Sequence, residues 1–242
     1  MATKISHLRE ATFIPSLSIP TTDQLYLLSK RLLDVALAAL LLIALAPLLL
    51  LIALAIALDS RGPVLFRQQR VLGDQPPHEG RPEEHTFTFF KFRTMFHNAD
   101  QDCHRRYVES LINGQAQTVE DGGKKLYKLG HDRRVTRVGR FLRRTSLDEL
   151  PQLLNILRGE MSFVGPRPAI PYEVRQYKPW HLHRLAVMQG LTGLWQVMGR
   201  NELSFDEMVA LDIEYARQRS LRLDLKILLA TIPAVLGSRG VR

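Results

Sequence analysis

The sequence holds a single cysteine, Cys103, among 242 residues. One thiol cannot close a disulfide within the chain, and the lack of a C-x-x-C pair or a Cys/His cluster removes the usual zinc signatures. A reducing, cytosol-facing location is the simplest fit. No internal repeat is present, which argues against a repeat architecture. No RNA- or DNA-binding motif is found and the basic residues are dispersed, so no nucleic-acid partner is expected. Charge is missing over one long stretch, from Val35 to Leu58. Elsewhere positive charge is in excess, with a formal net charge of +9. Such a balance suits an anionic partner, either a phospholipid surface or a phosphorylated substrate. The length allows one substantial domain with a buried core plus an appendage.

The uncharged stretch lies in "KRLLDVALAALLLIALAPLLLLIALAIALDSRG" and is about 24 residues long, enough to cross a bilayer. It is too long and starts too late for a signal peptide. Pro47 sits at its midpoint, where it removes one helical hydrogen bond and favours a kink. Lys30 and Arg31 precede the run, while Arg61, Arg67 and Arg70 follow it. The positive-inside rule therefore keeps both ends on the cytoplasmic side. A helix broken at Ala46-Pro47 that enters and leaves by one leaflet satisfies both observations. A plain spanning helix with a tolerated proline is the other reading. Asp34 is expected to pair locally with Lys30 or Arg31.

After Ser60 the composition is that of a basic soluble domain. "VLFRQQRV" and "HTFTFFKFRTM" predict a strand pair joined by the loop "GDQPPHEGRPEE". "NADQDCHRRYVESLI" has helical spacing, and "NGQAQTVEDGGKKLYKL" reads as a mobile connection. "LSFDEMVALDIEYARQRS" predicts an amphipathic helix with Ser204 and Glu207 as a capping box. "LRLDLKILLATIPAVLGSRG" predicts a second amphipathic segment, suited to a membrane surface or to a protein core.

The chemistry centres on "RRTSLDELPQLLNILRGEMSFVGPRP" at residues 143–168. Leu150, Leu153, Leu154 and Leu157 follow a helical period, and Gly159 fits its C-terminal cap. Ser146 and Glu149 match a capping box, but that register sets Pro151 too deep in the helix. An N-cap at Leu147 or Asp148 puts it in the first turn, where it is tolerated. Asp148 and Glu149 then lie at the positive end of a helix, just after Arg143 and Arg144. Free N–H groups and two guanidiniums make a phosphate-binding corner. A carboxylate there can attack phosphorus or hold magnesium. The bland reading is that both acids merely complement the helix dipole. Pro166-Arg167-Pro168 is a stiff turn whose arginine suits a nucleobase or a diphosphate. Lys91 and Arg93 alternate with Phe90 and Phe92, so one strand face is expected to carry both cations.

Together, "KRLLD…P", "FKFRTM", "RRTSLDELPQLLNILRGEMSFVGPRP" and "GLTGLWQVMGRNELSFDEMVALDIEY" resemble the bacterial sugar transferases, the monotopic phosphoglycosyl transferases. The resemblance runs from about Ser29 to Leu236. It implies transfer of a sugar-1-phosphate from a UDP-sugar to a polyprenyl phosphate, with release of UMP and a need for Mg2+. By that resemblance Asp148 is the nucleophile, Glu149 helps to hold the metal, Arg143 holds phosphate and Arg167 meets the nucleotide. Arg200, closing "GLTGLWQVMGR", is a further substrate-binding candidate. The family often has Ser-Pro at the membrane break, whereas this chain has Ala46-Pro47.

The expected architecture is α+β, mostly helical with a small β-hairpin. It comprises a tail (1–28), a re-entrant helix (29–60) and a cytosol-facing catalytic domain with interfacial helices (61–242). With no sensor or multi-spanning domain before residue 29, it resembles a minimal form or a catalytic portion. The expected partners are UDP-sugar, polyprenyl phosphate and an anionic phospholipid membrane, with homo-oligomerisation open. The expected location is the cytoplasmic face of a bacterial inner membrane. The tail is similar to exopolysaccharide-type members, many of which use UDP-glucose or UDP-galactose. A non-enzymatic membrane adaptor is the rival reading.

Overall fold

The computed structural model describes residues 23–74, 82–100, 102–116, 119–121, 124–126, 132–199 and 202–236. Its first two elements are α1 (Gln24–Ala44) and α2 (Ala46–Asp59), bent by 63° at Leu45. Pro47 lies in the first turn of α2, so its missing N–H falls where a helix start leaves donors unpaired anyway. The backbone continues across the bend, Leu45 N–H donating to Leu41 O and Leu49 N–H to Leu45 O, each at 2.9 Å. With no hydroxyl at Ala46, proline geometry alone makes the break. Among the described residues no single helix is long and apolar enough to cross a membrane; only the bent pair has that length and composition together. Leu40, Ile43, Leu50, Leu54 and Leu58 are exposed along it.

The expected local pairing of Asp34 is not what forms. Asp34 is buried and accepts the Phe163 N–H at 3.1 Å. Lys30 Nζ instead reaches Asp224 Oδ2 at 2.8 Å. Arg31 donates to Ile156 O at 2.6 Å and Leu157 O at 2.9 Å. Helical spacing made a local pair available, but each of these groups would then have been buried with other donors or acceptors unmet. All three bind distant elements and fasten α1 to the rest of the protein.

The predicted strand pair is present as β1 (Leu65–Val71) and β2 (Thr86–Phe92), antiparallel with Leu65 opposite Phe92 and Val71 opposite Thr86. Phe87 and Phe89 are buried and Lys91 continues their face, as period-two alternation requires. The other edge of β2 has no strand beside it. Asn155 takes that place with its carboxamide, accepting from Phe90 N–H at 3.1 Å and donating to Thr88 O at 2.7 Å. This side chain is fully buried and also donates to Glu160 Oε2 at 2.6 Å.

The next elements are α3 (Asp102–Ile112), β3 (Val119–Asp121), β4 (Lys124–Leu126) and α4 (Arg137–Thr145). β3 and β4 pair antiparallel inside the stretch read as a mobile connection. A 3₁₀ segment (Leu147–Gln152) leads into α5 (Leu153–Arg158), and Gly159 ends it at φ +82°. β5 (Ser162–Val164) and β6 (Gly190–Thr192) form a parallel pair that the sequence did not announce, since three-residue strands carry almost no periodicity. Between them lie α6 (Pro171–Val174) and a 3₁₀ segment (Pro179–Leu185). α7 (Leu194–Met198), α8 (Phe205–Gln218) and α9 (Leu221–Leu236) complete the chain. The result is α+β and mostly helical, with three two-stranded sheets among the described residues where one hairpin was expected.

The capping box of α8 forms: Ser204 N–H donates to Glu207 Oε2 at 2.8 Å, and Glu207 N–H to Ser204 Oγ at 3.4 Å. α9 buries Ile227 and Asp224 but exposes Leu225, Leu229 and Ile232. The main core joins Phe87, Phe89, Ile156, Phe163, Tyr215 and Ile227, with Ala38 of α1 packed into it. A second cluster joins Ile52 and Ile56 of α2 to Phe92 and Leu142.

Asn155→Ala leaves a strand N–H and a strand carbonyl without partners. The substitution should cost about 3 kcal/mol and lower the denaturant midpoint in detergent. Asn155→Asp, which keeps the acceptor for Phe90 but turns a buried carboxylate oxygen toward Thr88 O and Glu160 Oε2, should cost no less at neutral pH.

Candidate active site

The acidic pair is presented by an abrupt change of direction. α4 begins with Thr136 Oγ1 accepting the Gly139 N–H at 3.0 Å, and it ends at Ser146 in the left-handed region, φ +58°. The 3₁₀ segment starts at the next residue, with Asp148 and Glu149 in its first turn. The N-cap position is therefore Ser146, one residue before the expected Leu147 or Asp148, because the segment winds as a 3₁₀ turn that accommodates Pro151, and the α-helix proper begins only at Leu153. Pro151 sits inside the 3₁₀ segment, a tighter winding used in short pieces. Ser146 makes no side-chain cap. The Glu149 carboxylate, which a capping box would turn back, faces Lys91 and Arg167 instead.

Asp148 is 2% exposed, and its Oδ2 lies 2.8 Å from Lys91 Nζ. The approach lies outside hydrogen-bonding directions, so this buried oxygen is ion-paired but accepts no hydrogen bond. Glu149 Oε1 lies 3.4 Å from Lys91 Nζ and 3.6 Å from Arg167 Nη1. Burial pushes the Glu149 carboxyl up, but Lys91 and then Arg167 outweigh it and hold the group below its ordinary range. Arg143 donates from Nε to Thr94 Oγ1 at 2.9 Å. Burial lowers its pKa, and the charge of Asp148 opposes that shift.

Lys91, Arg143, Asp148, Glu149 and Arg167 thus come together. Pro166 and Pro168 are buried on either side of Arg167, and Pro168 lines a narrow cleft with Arg70, Gln152, Arg167 and Leu191. Arg93 does not join them, because β2 ends at Phe92 and the chain turns. Its guanidinium is buried and donates to Arg61 O and Ser60 O, both at 2.6 Å, capping the end of α2. The unpaired carbonyls at a helix end draw such a cation. Arg144 is exposed, one position around α4 from Arg143, and does not contact the acids. Arg200 lies outside the described residues.

Three site residues were missed from the sequence. Thr94 anchors Arg143 and was visible in "FKFRTM" only as a neighbour of the cations. Gln152 is 2% exposed with an unpartnered Nε2. It stands three residues after Glu149, the spacing at which 3₁₀ side chains eclipse. Arg70 in "RQQRV" had been counted only among the charges that follow the apolar run.

A sequence model of a family described as bacterial sugar transferase matches residues 25–238. The chain belongs to the bacterial sugar transferases. It is 43% identical over 213 residues to the exopolysaccharide production protein ExoY of Sinorhizobium fredii, covering 88% of each chain. It is 45% identical over 218 residues to the UDP-glucose:undecaprenyl-phosphate glucose-1-phosphate transferase of Caulobacter vibrioides, covering 86% of this chain and 70% of that one. It is 42% identical over 226 residues to the undecaprenyl-phosphate glucose phosphotransferase of Komagataeibacter xylinus, covering 88% of this chain and 37% of that protein. The matched region is thus most of some sugar transferases and a minor part of others.

Among the described residues no group of three or more His, Cys, Asp or Glu side chains could by itself hold a metal. The two acids of this sugar transferase still fit magnesium, which keeps one or two carboxylates and takes its other oxygens from phosphates and water. Asp148 Oδ2, buried and lacking a hydrogen-bond donor, is the oxygen in want of a ligand.

Lys91→Met removes the cation shared by both acids. The Glu149 carboxyl should then titrate higher, as read by carboxyl NMR with Glu149→Gln for assignment. A depressed carboxylate stabilises the fold above its unfolded pKa, and that contribution is lost as pH falls through the folded value. The penalty of Lys91→Met should therefore be about 2 kcal/mol at neutral pH and shrink in acid.

Proposed function

We propose that this sugar transferase moves a sugar-1-phosphate from a UDP-sugar to a polyprenyl phosphate such as undecaprenyl phosphate, releasing UMP. The observation that carries the reading is the buried Asp148 carboxylate with one oxygen free of hydrogen bonds, beside Lys91 and Arg143, with Arg167 on the neighbouring Glu149. The relatives in Caulobacter vibrioides and Komagataeibacter xylinus are named for transfers of this class, which supports it.

In the first step an oxygen of Asp148 attacks the phosphorus that bears the sugar. The bond from that phosphorus to the bridging oxygen breaks, and UMP leaves with the electron pair. In the second step an oxygen of the polyprenyl phosphate attacks the same phosphorus and displaces Asp148, giving a lipid diphosphosugar. Splitting the transfer this way lets UMP depart before the acceptor arrives. Arg143, held by Thr94, faces the phosphate being transferred, and Arg167 faces the nucleotide. Lys91 holds the Asp148 carboxylate in place until the donor binds. Glu149, with Asp148, would hold Mg2+, which supplies positive charge against the diphosphate and the leaving UMP.

The bent α1–α2 pair is read as a re-entrant element in the cytoplasmic membrane of a bacterium, with the site at its cytoplasmic face. The exposed leucines of α2 and α9 then meet lipid, and the basic surface suits anionic headgroups. The product would begin a surface glycan such as an exopolysaccharide. Glucose and galactose are the favoured sugars.

UMP release from a panel of UDP-sugars, with polyprenyl phosphate and Mg2+, tests the reaction. Metal-dependent release with one sugar, reduced by about 10³ or more in Asp148→Asn, is expected. Release that survives in the variant would remove Asp148 as nucleophile. No release with any sugar from folded protein in lipid would favour the adaptor. Topology is tested separately, with single cysteines placed at Gln24 and Ser60 in a Cys103→Ser background. Both should react with an impermeant maleimide from the cytoplasmic side only, whereas labelling from opposite sides would mean a spanning helix.

A further inference from the structure

The turn that carries Arg167 is held by its carbonyls, each bound by a different part of the protein. Pro166 O accepts from Gly190 N–H at 2.9 Å, and Ala169 O from Val71 N–H at 2.9 Å. Between them, Pro168 O accepts from Arg70 Nη1 at 2.7 Å, and Arg167 O lies 3.5 Å from Arg184 Nη2. Two of the four donors are therefore buried guanidiniums. Arg184 has an ordinary reason to be there, an ion pair at 2.6 Å with the buried Asp212.

Arg70 has no such reason. Among the described residues no carboxylate lies within ion-pair distance of it. Its other contacts are Gln68 Oε1 at 2.8 Å and the face of Phe89, 5.0 Å from the ring centroid. Burial lowers its pKa to about 10. Glu173, the carboxylate whose charge favours the guanidinium most, acts from beyond ion-pair distance and outweighs the repulsion by Arg167, but it does not offset burial. A buried charge with no counter-ion in contact is costly, and an apolar side chain of similar size would serve packing better. The bond to Pro168 O is what the guanidinium adds. Arg70 and Arg167 also line the same cleft and repel each other, a strain that an anion between them relieves.

We propose that Arg70 is a positioning residue for donor recognition: it fixes the Pro166–Pro168 turn so that the Arg167 side chain meets the diphosphate of the nucleotide sugar beside Glu149. This rests on the reading of Arg167 as the nucleotide-facing residue. Arg70 acts through Arg167, so removing either should harm the same quantity, and removing both should harm it no further.

The test is a double-mutant cycle on the full chain in lipid nanodiscs, with KM for the active UDP-sugar and kcat measured for each variant. Arg167→Ala should raise KM about tenfold, and Arg70→Lys should raise it comparably with kcat changed less than about threefold. The Arg70→Lys/Arg167→Ala double variant should match Arg167→Ala alone. Lysine keeps the buried charge but cannot span Gln68 and Pro168 together, so this variant separates positioning from folding; Arg70→Gln, which risks misfolding, is compared through its thermal midpoint. A wild-type KM in Arg70→Lys, or KM effects that multiply in the double variant, would overturn the positioning role and leave Arg167 standing. An unchanged KM in Arg167→Ala would overturn the reading of Arg167 and the proposal with it.

Discussion

Helix ends leave carbonyls without partners, and two arginines that meet this need fix where the site sits. Arg31, on α1, binds Ile156 O and Leu157 O at the end of α5, the helix that follows the acidic pair. Arg93, two residues beyond Lys91, binds Ser60 O and Arg61 O at the end of α2. Each leg of the apolar pair is thus tied next to a segment that bears site residues, the 3₁₀ turn before α5 or the end of β2. Asp34 on Phe163 N–H and Lys30 on Asp224 add further ties from α1. A buried guanidinium has no cheap alternative position, so these ties define one geometry. The acids are therefore held at a set distance from the apolar pair.

The same need explains which parts of the chain were legible beforehand. Pro47 announced the break because proline acts on its own backbone, and Ser204 announced the start of α8 because a capping box is local. The strand pair was visible in alternating aromatics. Arg93, Asp34 and Lys30 were misread for one reason: each has a plausible local role and a stronger distant one. Sequence spacing describes the first and is blind to the second. Asn155 is the same case, since nothing in "LLNILR" says that its carboxamide completes the edge of a strand 65 residues away.

The candidate site was legible to a greater degree. Asp148, Glu149, Arg143 and Arg167 lie within one short segment, and Lys91 joins them from β2 because it prolongs the row of Phe87 and Phe89. What escaped notice was the support behind them. Thr94 and Arg70 act through backbone carbonyls and other side chains, so their residue types carry no signature.

Charge balance links this support to the chemistry. Lys91, Arg143 and Arg167 face two carboxylates, which leaves a small positive surplus before substrate arrives. That surplus favours entry of an anionic donor. It is smaller than the charge a diphosphate brings, so binding alone would leave the site net negative just as more charge develops on the departing phosphate. In the reaction proposed, a divalent cation on Asp148 and Glu149 would correct the deficit, and among the described residues no third carboxylate joins them. A further fixed acid would hold such an ion without substrate, but it would also repel the diphosphate that the ion is needed to neutralise. Two acids are enough when the phosphates complete the coordination, which couples metal binding to donor binding in the reaction proposed.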